Sequence, residues 1–337
     1  MSPARLAGTL VIGTLALAVP FGGLALPHAA GRQFANFSYA PPMLPHLRDD
    51  DGTWRRPFVY PLRLVNRLEH RFEEDRAHPV TLRWASDGAL LSGDGPAGPW
   101  LPLGGDPLGR DILARLLLGA RLSLGVSAAA AAGALLIGAL LGAVAGFRGG
   151  RLDGLLMRSA DFVLVLPAVY VVIVLRAALP LVLSTSQVFW TLAGVLALSG
   201  WPQPARGVRA IIRTERRQEY AEAALALGAT PTRILLRHLL PATRSFLAAQ
   251  LTLLLPAFIL AEATLSFVGF GFSEPTPSWG VMLQDAAQAS VLAETPWLAA
   301  PAAAIALSVL ALHLLVQTRQ APPSSLPSAT TTAKSIA

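Results

Sequence analysis

The chain contains no cysteine, which excludes disulfides and thiolate metal sites alike. It is almost as poor in lysine, with Lys334 the single example. A P-loop needs Gly-Lys-Ser/Thr, so that the ammonium reaches the β- and γ-phosphates. Lys334 instead follows Ala333 in a polar tail, so a Walker-type ATP site is excluded. Charge is scarce too: 14% of residues are charged and 53% hydrophobic, too apolar for an ordinary soluble chain of 337 residues. No His/Asp/Glu group has metal-ligand spacing, and no Ser-His-Asp arrangement can be argued. His238 and His313 read as surface or packing residues, and no internal repeat is visible.

What is there comes in long apolar blocks, the mark of membrane spans. The net charge of +7 is carried almost wholly by arginine. No domain-sized soluble patch holds the excess, so the expectation is no nucleic acid, with the arginines in cytoplasmic loops facing lipid. The fold expected is an all-α integral membrane protein with about six transmembrane helices. Residues 1–27 read as a first transmembrane helix rather than a secretory signal, because the apolar run at 6–26 exceeds a usual h-region and His28-Ala29-Ala30 is a poor cleavage site.

Residues 28–118 form a long polar connection with eleven arginines and eleven acidic residues, and loops of that length are discounted in positive-inside counting. Leu62, Val65, Leu68 and Phe72 recur at helical spacing and predict a short amphipathic helix. Val80–Ala85 and Ala89–Ser92, around Asp87-Gly88, predict a small hairpin. An interfacial helix follows, with Asp106 and Pro107 as start signals and Ile112, Leu113, Leu116 and Leu117 on one face.

The membrane-spanning core is expected over 119–317. Its second span covers 122–147, where Gly138, Gly142 and Gly146 line one face for close helix packing. The third covers 160–183, with Pro167 and Arg176; the fourth covers 188–201 and ends at Trp201-Pro202. Arg148, Arg151 and Arg158 place the loop before the third span in the cytoplasm, and eight arginines place 202–245 there. Arg206, Arg209 and Arg213 share a helical face suited to lipid headgroups. The fifth span, 246–270, holds Pro256 and Glu262, and Trp297 opens the sixth, 297–317. Residues 318–337 read as a disordered cytoplasmic tail, with both termini cytoplasmic.

Four pieces carry a family resemblance. Within 202–245, Glu222, Ala223, Ala224, Gly228, Leu240 and Pro241 have the spacing of the EAA motif of ABC importer permeases. Leu108-Gly109-Arg110-Asp111, preceded by Asp106, resembles the signature before the second span of dipeptide, oligopeptide and nickel importer permeases, although Gly105 replaces the family threonine. Leu260 to Phe267 and Pro275 to Gly280 complete the order. The pattern is most similar to the C-type permease of those systems. The 28–118 connection is long for the family, and Leu315-Val316-Gln317-Thr318-Arg319 departs from the family's Leu-Gly-Asp-Gly-Leu-Arg-Asp.

The resemblance implies the permease subunit of a bacterial inner-membrane importer for peptides or a similar small solute. Its implied partners are a second permease subunit, two ABC ATPase subunits that bind ATP and Mg, and an extracytoplasmic solute-binding protein. The EAA loop would be a helix, turn and helix docking into the ATPase. Gly228 suits a left-handed helix end, and Pro241 a stop or kink before the next span. Ala223 and Ala224 would keep one helix face thin. Glu262 and Arg176 are candidates for the translocation path, against a hydrogen-bonded structural carboxyl and a snorkelling arginine respectively. The rival class is an ATPase-independent secondary carrier or a membrane-embedded enzyme.

Overall fold

The computed structural model describes residues 13, 28–49, 52–86, 89–93, 98–167, 170–171, 174 and 183–317. The expected first span, Arg176, Asp87-Gly88 and the tail with Lys334 lie outside them.

The chain is mostly helical, but the connection is built from strands, which corrects the all-α expectation. Among the described residues seven short strands run β1 His46–Arg48, β2 Trp54–Val59, β3 Leu62–Asn66, β4 Arg71–Glu74, β5 Val80–Thr81, β6 Arg83–Ser86 and β7 Ala89–Ser92. They form a three-stranded sheet, β1-β2-β5, and two hairpins, β3-β4 and β6-β7. The amphipathic helix expected over Leu62, Val65, Leu68 and Phe72 is the β3-β4 hairpin instead, with Leu64 paired to Phe72. Burial explains the difference. Leu62 is buried and Leu64 half-buried, while Val65 and Leu68 are exposed, so the period along β3 is two. The Asn66 side chain accepts hydrogen bonds from the Leu68 and Glu69 N–H groups, a local bond that favours a turn over a helix.

The expected hairpin forms from Arg83, not Val80, because Val80 pairs with Val59 of β2. Phe37, Ala40, Met43, Val59, Leu62, Leu82, Trp100 and Leu101 form this region's core, and Trp100 Nε1 donates to the Met43 carbonyl at 3.0 Å.

The helices are α1 Ile112–Arg148, α2 Gly150–Val165, α3 Thr185–Gly200, α4 Pro202–Glu215, α5 Glu219–Ala226, α6 Pro231–Ile234, α7 Leu240–Ala242, α8 Arg244–Phe267, α9 Trp279–Asp285, α10 Ala289–Glu294 and α11 Ala300–Gln317. A π-helical turn at Leu235–Leu239 and a 3₁₀ turn at Pro296–Ala299 join neighbouring elements. Among the described residues three helices are long and apolar enough to cross a membrane: Ile112–Arg148, Arg244–Phe267 and Pro296–Leu315.

One boundary differs from expectation and one agrees with it. No separate interfacial helix precedes the second span. α1 runs unbroken for 37 residues from its N-cap Asp111, and Asp106 and Pro107 belong to the turn before it. The helix of the fourth span ends at Gly200 with Trp201 as its C-cap, where the Trp201-Pro202 pair predicts the end, and α4 follows directly. Trp201 N–H donates to the Ala197 carbonyl and Ala205 N–H to the Trp201 carbonyl, so α3 and α4 abut at Trp201. Pro202 sits in the first turn of α4, where a missing N–H costs least.

α1 is the axis of the assembly. Its Val126, Ala130, Ala131 and Ala134 pack with Leu192 and Leu196 of α3 and Phe258 of α8. Further along, the glycine stripe receives α4. A Cβ at Gly146 would lie 2.6 Å from the Arg209 carbonyl oxygen, and one at Gly138 2.7 Å from Pro204 Cβ. One at Gly142 would overlap the Ala205 carbonyl. Only bare backbone lets the two axes come so close.

Candidate functional site

The EAA residues fold into a helical hairpin at the α4 end of the molecule. α5 carries Glu222, Ala223 and Ala224 and stops after Ala226. Gly228 then takes φ +83 with nothing within 4 Å of its would-be Cβ, so the backbone conformation, not crowding, calls for glycine there. Thr230 caps the return helix by accepting from the Arg233 N–H. The return passes through α6 into the π-turn, where Leu240 N–H reaches the Leu235 carbonyl. Pro241, which has no N–H to donate, lies in the three-residue α7 just beyond, before α8 begins.

The hairpin has two faces. Ala221, Ile234 and Leu239 are buried against Ala143 of α1 and Val208 and Ile212 of α4, with Ala224 and Leu240 packed beside them. The other face is open: Glu222 and Ala223 are exposed, Leu227 is 89% exposed, and Tyr220, Leu225 and Leu236 are exposed as well. Tyr220 Oη donates to Glu215 Oε2 at 2.7 Å and closes the corner between α4 and α5. Burial, that hydrogen bond and the Glu215 charge push its pKa up to about 12, so the phenol keeps its proton.

The arginines of this end are partly neutralised at home. Arg209 forms a two-pronged pair with Asp153 of α2, Nη2 to Oδ2 being 2.6 Å, and this bond holds the Asp153 carboxyl below its ordinary range. Arg206 pairs with Asp161, and Arg216 donates to the Phe147 carbonyl at the end of α1. Of the three arginines expected to share a lipid-facing stripe, two thus hold α2 against α4.

At the opposite end of α1, the Asp106–Asp111 signature forms a buried ion cluster. Asp106 Oδ1 accepts from the Leu108 and Arg110 N–H groups, both at 2.9 Å, and Oδ2 from Arg110 Nε at 2.5 Å. Gly109, at φ 70, donates its N–H to the Asp106 carbonyl. Asp111 caps α1 through the Leu113 and Ala114 N–H groups and meets His28 Nδ1 at 3.3 Å. Arg110 Nη1 and Arg115 Nη2 both donate to Glu274, each at 2.6 Å, and Arg115 Nε stands 3.4 Å from Asp106.

Burial raises the Glu274 carboxyl, but the Arg110 hydrogen bond and the Arg115 charge more than offset it and hold its pKa below the ordinary value. Asp285, at the end of α9, is pushed up to about 6, first by burial and then by the Asp106 charge. Gly105, which replaces the family threonine, has a physical reason: a Cβ there would overlap the Phe37 carbonyl. Arg115, Glu274 and Asp285 escaped the sequence reading. Its one available signal was Arg115, a charge one turn past the Asp111 cap in an otherwise apolar helix.

Glu262 lies in α8 with no exposed surface. Its Oε1 accepts from Ser266 Oγ at 2.8 Å, Ser123 and Ser278 stand beside it, and Ser266 Oγ accepts the Phe272 N–H. The carboxyl is thus enclosed by hydroxyls where α1, α8 and the start of α9 meet, and the structure does not bring it together with the ion cluster or the hairpin.

Residues 116–321 match the family described as "Binding-protein-dependent transport system inner membrane component". The chain is 37% identical over 227 residues to the oligopeptide transport system permease protein OppC of Bacillus subtilis, covering 67% of this chain and 72% of that one. It is 34% identical over 208 residues to OppC of Lactococcus lactis subsp. cremoris, covering 62% and 69%. With the dipeptide transport system permease protein DppC of Bacillus subtilis it shares 39% identity over 213 residues, 63% of this chain and 64% of that one.

Proposed function

The chain belongs to the family of binding-protein-dependent transport system inner membrane components, and on that premise we propose that it is the membrane-spanning permease subunit of an ATP-driven importer of di- or oligopeptides. The relatives named as oligopeptide and dipeptide permeases support the cargo class. In this reading the chain has no ATP site of its own. A second permease subunit completes the pathway, two ABC ATPase subunits bind ATP and Mg, and an extracytoplasmic solute-binding protein delivers the cargo. The arginine-rich α4 end faces the cytoplasm and the strand-bearing end faces outward, in the bacterial inner membrane.

The observation that carries the reading is the asymmetry of the hairpin: an apolar tip open to solvent on a base buried in the helical core. Tyr220, Leu225, Leu227 and Leu236 form an exposed apolar surface suited to a partner chain. Beneath it, Ala221, Ile234 and Leu239 pack directly on α1 and α4. A partner ATPase that moves the tip would move the base with it. Because α1 is one uninterrupted helix, the displacement would be carried to its far end.

Glu222 would bridge to a basic group of the ATPase, and Gly228 would keep the turn in the geometry that presents the tip. Gly228→Val forces a β-branched residue to positive φ, and Glu222→Ala removes the exposed carboxylate. Both variants are expected to insert at wild-type levels, to lose ATPase co-purification or coupled hydrolysis, and to lose peptide uptake. Wild-type co-purification and uptake in both would refute the coupling role. Uptake by the isolated chain in liposomes, driven by an ion gradient, would favour the carrier instead.

A further inference from the structure

Beside the ion cluster, at the strand-bearing end, lies a cavity of about 320 Å³ to which the transport reading gives no role. Its lining residues include Tyr39, His70, Phe72 and Trp297, and the acidic Glu69 and Glu294. Four ring-bearing residues and two acids, with no lysine or arginine among the lining residues, make a lining whose chemistry is complementary to an organic cation. Glu69 and Glu294 have no ion pair among the described residues, whereas Glu74, Asp75 and Asp49 nearby in sequence are each paired with a basic side chain. Their charge is left for something else.

The walls are held rigidly. Tyr39 and His70 are the two non-glycine residues with positive φ among those described, at 56° and 47°, and their rings meet edge to face at 5.0 Å. Such backbone conformations are unfavourable on their own and persist where the surroundings over-determine them, often at ligand sites. Trp297 Nε1 donates to the Gly105 carbonyl, and Tyr39 N–H donates to the Asp106 carbonyl. The Trp297 ring and the Tyr39 backbone are therefore tied to the turn that builds the ion cluster.

From this geometry we infer that the cavity binds a small solute through an ammonium or guanidinium group. The aromatic faces attract the cation through their quadrupoles, and Glu69 and Glu294 neutralise it. The volume lies at the small end of the range for ligand pockets, which suits one basic amino-acid unit. The site is separate from the cytoplasmic hairpin, and its test needs neither ATP nor transport.

The test is titration calorimetry on the full-length chain in detergent, with N-acetyl-arginine amide and its uncharged isostere N-acetyl-citrulline amide as probes. The arginine probe is expected to bind saturably and the citrulline probe on the order of tenfold more weakly. Glu69→Gln and Glu294→Gln together should weaken the arginine probe by a similar factor without lowering the melting temperature, since both side chains are exposed. Equal binding of the two probes, unchanged binding by the double variant, or no saturation at millimolar concentration would each overturn the inference. So would loss of binding-protein capture by the double variant with no probe binding to the wild type, which would assign the cavity to a basic side chain of that protein.

Discussion

At its start α1 is fastened by charge: Arg115 in its first turn and Arg110 in the turn before it both reach Glu274, and Asp106 of that turn pairs with both arginines. In its last turns the same helix is fastened by missing side chains, with Gly138, Gly142 and Gly146 against the backbone of α4. The charged anchor is directional and specific, and it depends on every partner staying in place, because a desolvated charge left alone is costly. The glycine anchor rests on short-range packing between backbones, the contact that suffices where lipid offers no hydrophobic drive between helices. The two ends of one helix are thus gripped in two ways that fail differently.

The largest effect is expected from breaking the charged anchor. Arg115→Met would leave Asp106 and Glu274 short of a cation in a site where Arg115 has no exposed surface. We expect a loss of about 3 kcal/mol, read as a lower melting temperature in detergent. Because the charge itself is what is lost, Arg115→Lys should recover part of it.

Breaking the glycine anchor should cost somewhat less. Gly142→Leu forces α4 away from α1, with an expected cost of about 2 kcal/mol or more, read as the same melting shift and as weaker retention of the hairpin. Gly154→Leu is the internal control, since nothing lies within 4 Å of a Cβ at Gly154. An equal response at the two glycines would show that the stripe is not an anchor.

The smallest effect sharpens the comparison, because only the charged end should respond to mild acid. Asp285 has its pKa raised to about 6 by burial and by Asp106 and Glu274, with Arg110 and Arg115 opposing. The folded state therefore holds this proton more tightly than the unfolded chain does. The stabilisation is complete below the ordinary carboxylate pKa and is lost as pH rises through about 6. Melting measured at pH 5 and pH 7.5 should show this component in the wild type, and Asp285→Asn should lack it. Persistence of the full pH step in Asp285→Asn would assign the titration to another group.

Part of the site was legible without a structure. The hairpin turn at Gly228 was implied by the resemblance of Glu222 to Pro241 to the EAA motif, and its φ of +83 is a local property. The glycine stripe was legible as a face, but its occupant was not. Nothing in the composition of 202–215, with three arginines, says that this stretch packs along α1. It does so because Arg206 and Arg209 turn toward Asp161 and Asp153 of α2, leaving Ala205, Val208 and Ile212 to face inward. The 62–72 stretch was misread for a related reason. Leu62, Val65, Leu68 and Phe72 fit a helical period, yet two of the four are exposed, and only the strand partner selects the period that forms.

Taken alone, the sequence determined what its neighbours along the chain decide: membrane class from long apolar runs, and a backbone position at Gly228 free to take positive φ. The tertiary structure decided what depends on residues far apart. Arg110 and Glu274 are 164 positions apart, Arg115 and Glu274 159, and the cavity joins residues from β4 and from the turn before α11. Such pairs form only when packing has already removed water and brought opposite charges or bare backbones within contact distance, and no local pattern encodes which distant partner arrives.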